Sequence, residues 1–253
     1  MRKLNSIFNG YNMIRQQSLF FSIFAYMWLI KACVFSLLSI LTAVLTLLTA
    51  PVNFKGKAAK VILKAWTNST LFVFGVKVNV YGRENVSSPK GKVYISNHAS
   101  YLDIFVLLAK VPDNLRMIYK KEINKMPLIS WAMRACGFVP INRRNARSAM
   151  HSLDVAAEKI HKGLSFVIFP EGTRSEDGTI GEFKRGMFVL TEKAQADIIP
   201  VTLTNTINLM PRDSLKIKPG VVNLVIDKPL KPRKDNEFLQ EIRSIIISNL
   251  KKV

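Results

Sequence analysis

Acidic residues are missing from the first third of this chain. No Asp or Glu precedes Glu84, while Arg2, Lys3, Arg15, Lys31, Lys55, Lys57, Lys60, Lys64, Lys77 and Arg83 are all basic. Cysteine is scarce: Cys33 and Cys136 give no disulfide framework, since Cys33 lies inside a hydrophobic segment, and a reducing compartment is expected. With only three scattered histidines beside them, zinc-site spacing is absent and no metal centre is expected. The chain has no Gly-x-Ser-x-Gly run, which excludes the nucleophile elbow of serine hydrolases. It also has no internal repeat, no low-complexity linker, and no nucleic-acid module of basic patches interleaved with aromatics.

What is present is charge and apolar length. The 37 Lys+Arg against 17 Asp+Glu in 253 residues leave a formal net charge of +20. That balance suits nucleic acid, an anionic membrane surface or phosphorylated substrates. A hydrophobic share of 49% argues against a disordered basic tail. Leu19 to Ala50 is broken by one charge, Lys31, and the 19 residues from Ala32 to Ala50 carry none, close to the ~20 that cross a bilayer core. A signal peptide fits poorly, because the run is long, starts late and lacks a small-x-small exit. A buried soluble helix is disfavoured by length, so a membrane anchor is expected.

Basic residues flank the run on both sides, so charge does not choose an orientation. Phe54 to Phe74 reads as a second helix, and a helical hairpin dipped into one leaflet is slightly preferred to a single crossing. Each exposed cation against anionic headgroups is worth roughly 1 kcal/mol. Residues 1–75 are therefore expected to be membrane-binding helices and 76–253 an α/β body.

Beyond Gly75, short β-branched runs alternate with amphipathic segments. Strands are expected at Lys77–Tyr81, Lys92–Ser96, Leu115–Tyr119, Phe138–Asn142, Ser165–Phe169, Ile198–Thr204 and Val221–Ile226. Helices are expected at Tyr101–Ala109, Pro127–Ala135, Ala146–Lys162, Arg185–Ala194 and Asp235–Lys251. This alternation implies crossover units and a mixed, largely parallel sheet flanked by helices on both faces.

The chemistry concentrates at strand ends. Asn97-His98-Ala99-Ser100-Tyr101-Leu102-Asp103 joins a strand to a helix. Imidazole titrates near neutrality, and a carboxylate fixes its tautomer, so His98 and Asp103 are the parts of a general-base dyad. Five residues apart, they meet only if His98 precedes the helix and Asp103 sits in its first turn, with Ser100 as N-cap. Ser100-x-x-Asp103 equally resembles a capping box, and His98 a half-buried loop histidine; the pair alone leaves both readings open.

Phe169-Pro170-Glu171-Gly172-Thr173-Arg174-Ser175 leaves an apolar strand in a sharp loop where Arg174 offers a fork suited to phosphate. The structural alternative for Arg174 is a surface ion pair with Glu171, Glu176 or Asp177. Gly137-Phe138-Val139-Pro140-Ile141-Asn142-Arg143 puts another arginine at a strand end, and Lys120 and Lys121 end the strand before it. Ile198-Ile199-Pro200-Val201 reads as a core strand. His151 and His161 fall on an amphipathic helix and suit surface or helix-end roles.

Asn-His-x4-Asp, Gly-Phe-x-Pro-Ile-x-Arg, Phe-Pro-Glu-Gly-Thr-Arg and Ile-Pro-Val occur in the order of the four blocks of the glycerolipid acyltransferases. Over roughly Lys77 to Ile226 the chain most resembles bacterial 1-acylglycerol-3-phosphate (lysophosphatidate) acyltransferases. Its basic N-terminus also looks like that family's membrane-binding element. Pro140 stands where many members carry Phe. The resemblance implies that His98 takes the proton from the sn-2 hydroxyl of lysophosphatidate, which attacks an acyl thioester while Asp103 supports the imidazolium.

It further implies acceptor binding by Glu171, Gly172, Thr173 and Arg174, with Arg143 near the phosphate and Lys120 or Lys121 adding to the pocket. No cofactor is implied, only acyl-CoA or acyl-ACP (acyl carrier protein) as co-substrate. The implied partners are lysophosphatidate, the acyl thioester and anionic membrane lipids, without nucleic acid. The implied location is a bacterial inner membrane, with the site facing the cytoplasm. An alternative is a related acyltransferase using glycerol-3-phosphate, another lysophospholipid or a lyso-ornithine lipid. A basic membrane-attached binding protein is the non-enzymatic alternative.

Overall fold

The computed structural model describes residues 2–52, 56–86, 90–184 and 186–252, with side chains described from residue 25 onward except at 186–187. Helix α1 (Arg2–Thr49) starts well before the apolar run that announces it. The chain's first proline is Pro51, and with no earlier breaker than Gly10 the helix continues to that point. A 3-10 turn at Ala50–Val52 follows, then α2 (Lys57–Phe74). Phe54 and Lys55, expected in this second helix, lie outside the described residues, as do Met1, Pro89 and Arg185. Gly75 ends α2 at φ 71°, and its N–H bonds the carbonyls of Leu71 and Phe72, a left-handed cap that favours glycine.

The body follows as β1 (Val76–Tyr81), β2 (Val93–Ser96), α3 (Leu102–Lys110), β3 (Leu115–Lys120) and α4 (Pro127–Ala135). Then come β4 (Val139–Ile141), α5 (Ala146–His161), β5 (Ser165–Ile168), α6 (Gly186–Ala194) and β6 (Ile198–Thr204). Last are α7 (Thr206–Leu209), a short helix the sequence did not announce, β7 (Gly220–Ile226) and α8 (Asn236–Lys252). The strands form one seven-stranded sheet in the order β1-β7-β6-β2-β5-β3-β4, parallel throughout except for the β6–β7 pair. The fold is therefore the mixed, largely parallel α/β sheet that the alternating pattern implies.

Two prolines respect this topology. Pro140 sits in β4, an edge strand, where a missing N–H need not break a second ladder. Pro200 stands one residue before the antiparallel ladder of β6 begins at Val201. Alternate strand residues serve two cores, as a two-residue period requires. Val93, Ile95, Phe166 and Ile198 pack with α5, α6 and α8 on one face. Tyr94, Val167 and Ile199 pack with α2 and α3 on the other.

Helix α1 lies along the outside of this second face. Phe35 meets Trp66, Phe74 and Phe105 at ring-centroid distances of 6.2, 6.2 and 5.9 Å. The Trp66 indole donates to Ser39 Oγ at 3.1 Å, and Ala43 and Thr46 are buried. The opposite face of α1 presents Leu37, Ile40, Leu41, Val44 and Leu48 outward. Among the described residues, Ala25–Val52 is the one stretch long and apolar enough to cross a membrane. The turn after α1 is tied down by Arg116, a buried guanidinium donating to the carbonyls of Gly56, Leu115 and Cys136. Burial disfavours its charge, and the three carbonyl acceptors offset that desolvation.

Candidate active site

Because β2, β3, β4 and β5 run parallel, their C-terminal ends emerge at one edge of the sheet, the edge where open α/β sheets place ligands. His98 follows β2, Arg143 follows β4, and Phe169–Ser175 follows β5. His98 Nδ1 lies 2.8 Å from Asp103 Oδ2. A carboxylate only accepts, so Nδ1 carries the proton and a neutral ring keeps its lone pair on Nε2. That nitrogen has no partner among the described residues. The ring is 14% exposed and stacks on Phe169 with centroids 3.9 Å apart and planes 17° from parallel.

Asp103 is fully buried in the first turn of α3, where the helix N-terminus favours a negative charge. Its Oδ2 also accepts from the N–H groups of Ala99 and Ser100 at 2.8 and 2.9 Å. The capping and dyad readings are thus both satisfied by one oxygen. Ser100 is not a conventional N-cap: the helix starts at Leu102, and Ser100 Oγ accepts from Leu102 N while donating to Met210 O at 2.7 Å. Fully buried and spent on these bonds, that hydroxyl is no nucleophile.

The loop after β5 is locked onto His98. Glu171 Oε1 accepts from His98 N at 2.9 Å, and its Oε2 accepts from Gly181 N at 3.1 Å. Ser175 N returns a bond to His98 O at 2.8 Å. Glu171 is buried, so the residue expected to bind acceptor instead holds backbone on both oxygens. Gly172 sits at φ 76°, and a Cβ there would lie 3.1 Å from Lys184 Nζ. Its carbonyl receives Arg143 Nη1. Thr173 is exposed.

Arg174 has no carboxylate ion-pair partner among the described residues; the salt bridge weighed for it is absent. Its guanidinium lies 3.8 Å over the Tyr101 ring, and Nη1 donates to Arg212 O at 2.6 Å. Glu176 pairs with Arg212 instead, at 2.7 Å. A cleft of about 480 Å³ opens there, lined by Glu176, Pro211, Arg212, Asp213 and Ser214. Lys120 and Lys121 are exposed, and Lys120 lies 3.9 Å from Glu122. Register places Lys120 beside Ile141, two residues before Arg143. Both lysines therefore share the edge without touching the dyad.

A family model described as Acyltransferase matches residues 77–204, about half of the chain. The chain belongs to the acyltransferase family. It is 38% identical over 199 residues to the Arabidopsis thaliana protein named 1-acyl-sn-glycerol-3-phosphate acyltransferase LPAT1, chloroplastic, covering 78% of this chain and 55% of that one. It is 30% identical over 189 residues to a Saccharomyces cerevisiae protein named 1-acyl-sn-glycerol-3-phosphate acyltransferase, covering 72% and 62%. The chain thus spans a little over half the length of the curated relatives it matches.

Among solved structures, the Thermotoga maritima 1-acyl-sn-glycerophosphate (LPA) acyltransferase PlsC superposes with a TM-score of 0.70 at 24% identity, covering 86% of this chain and 97% of that one. That likeness supports the acyltransferase fold. Within it, sequence reasoning missed three contributors: Phe169 as the imidazole's stacking partner, Tyr101 beneath Arg174, and Lys184 beside Gly172. The aromatics were visible next to the motifs, but nothing in their spacing showed which side chain they would meet.

Proposed function

We propose that this chain transfers a fatty acyl group from an acyl thioester to the sn-2 hydroxyl of lysophosphatidate, giving phosphatidate. The observation that carries this reading is the His98–Asp103 contact. It leaves Nε2 free at a sheet edge that also holds Arg143, Arg174 and Lys184. His98 Nε2 accepts the hydroxyl proton as the oxygen bonds to the thioester carbonyl carbon. The C–S bond then breaks, and the imidazolium returns the proton to the departing thiolate. Asp103 holds the productive tautomer and stabilises the imidazolium; such base catalysis contributes about 10²–10⁴-fold.

Arg143 and Arg174 bind the acceptor phosphate, with Thr173, Lys120 and Lys121 at the rim. Glu171 acts as a positioning residue, and Gly172 allows the loop its left-handed turn. The names of the relatives support the acceptor class. No group beyond the acyl-CoA or acyl-ACP co-substrate is required by this chemistry. The protein works at a membrane surface: one side of α1 is packed on the body, and its outward apolar side suits insertion along the interface. The site faces the side on which the acyl donor is soluble.

The test is an assay of the purified chain with labelled acyl-CoA, offered lysophosphatidate, glycerol-3-phosphate and lysophosphatidylcholine. Phosphatidate is the expected product. A different preferred acceptor would replace the substrate assignment, and no product with any acceptor would remove the enzymatic reading.

A further inference from the structure

The segment after α7 links three places that the mechanism treats separately. Met210 O takes the Ser100 hydroxyl, and Arg212 O takes Arg174 Nη1. Four residues further on, Lys216 Nζ lies 5.8 Å over the ring of Trp28, on α1. Trp28 shares the helical face of Phe35, Ser39 and Thr46, which packs on the body. Its neighbours Tyr26, Met27, Leu29 and Ile30 are exposed, so the segment abuts α1 beside its apolar surface.

Its own shape is fixed from within. Ser214 N bonds Pro211 O at 3.0 Å, and Lys218 N bonds Leu209 O at 2.8 Å. Ile217 packs against the core. Leu215 is consequently turned outward and is 72% exposed, between a cleft-lining serine and a lysine. Arg212, Lys216 and Lys218 carry the segment's cations against Asp213, with Glu176 pairing Arg212. A single large aliphatic tip between cations, on a segment that abuts the apolar helix α1, matches an anionic lipid surface better than water.

We propose that Pro211–Lys218 is a lipid-contact edge of the active site. Leu215 enters the headgroup boundary, Lys216 and Lys218 meet anionic headgroups, and the cleft behind them is lined by Arg212, whose carbonyl holds Arg174. An acceptor lipid then approaches the phosphate-binding arginine sideways from the membrane. This deepens the membrane-surface reading above and rests on it.

The test uses the full chain with Cys33→Ser and Leu215→Cys, labelled at position 215 with an environment-sensitive fluorophore. A control carries the label at Glu237→Cys on α8, which packs on the far face of the sheet. With vesicles containing phosphatidylglycerol, the 215 probe should shift to the blue and be quenched by brominated acyl chains, while the 237 probe stays in water. A 215 probe that stays in water on protein that sediments with the vesicles overturns the proposal and leaves the membrane reading standing. Absence of vesicle binding overturns both.

A kinetic arm is independent of the label. Leu215→Asp should raise the apparent KM for vesicle-presented lysophosphatidate about tenfold. With a short-chain, water-soluble lysophosphatidate the same variant should match the parent. Equal loss with both acceptors would assign Leu215 a merely structural role.

Discussion

The two ends of the sheet each hold a carboxylate, Asp113 mostly buried and Asp103 fully so, and they are built for opposite purposes. At the N-terminal edge Asp113 Oδ2 accepts from Tyr94 Oη at 3.0 Å and Ser165 Oγ at 2.7 Å, and lies 3.3 Å from Lys92 Nζ. Burial, reinforced by the Asp113 charge, pushes the Tyr94 phenol up, so it stays a neutral donor. At the C-terminal edge Asp103 Oδ2 also takes three donors, but one of them is an imidazole whose second nitrogen is left uncommitted. The first network closes on itself and strengthens the fold. The second ends in a group free to move a proton. A buried carboxylate therefore signals chemistry only when its partner retains an unused valence.

The sharpest break in this comparison is His98→Ala. It should lower acyl transfer about 10³-fold while the thermal unfolding midpoint stays near that of the parent; retained turnover in a steady-state assay would refute the dyad. Asp103→Asn should follow, with about 10²-fold lower turnover, because one carboxamide cannot hold the tautomer and accept all three bonds. It should also unfold more easily by about 1–2 kcal/mol in denaturant titrations, through the lost backbone bonds.

Arg174→Lys should act more mildly, raising the lysophosphatidate KM about tenfold with kcat little changed, since an ammonium does not reproduce a planar fork stacked on Tyr101. The smallest effect on turnover belongs to Asp113→Asn at the closed end. It should cost about 1–3 kcal/mol of stability and leave kcat/KM unchanged. If Asp113→Asn instead abolished activity without destabilising the chain, the contrast between the two ends would fail.

Much of this contrast could be anticipated from the residues. Alternation of β-branched and amphipathic runs placed every strand of the sheet within two residues, because those periods are local properties of the backbone. Pro127–Ala135 and Ile198–Thr204 match their observed bounds, each being marked by its own residues. The four blocks pointed to His98, Asp103, Arg143 and Glu171–Arg174. What escaped was partnership. Glu171 looked like a substrate ligand and proved to hold the backbone of His98, 73 positions away. Arg174 was legible as a fork suited to phosphate, with a surface ion pair as the alternative, but the Tyr101 ring beneath it was not.

By itself, then, the chain's order of apolar, β-branched and charged residues determined the α/β layering, the apolar first helix and the inventory of proton-handling and cationic side chains. Only the tertiary structure decided which of those groups meet. Parallel strand pairing brings the ends of β2, β4 and β5 to one edge, and hydrogen bonds there depend on ångström distances between segments that no local period encodes.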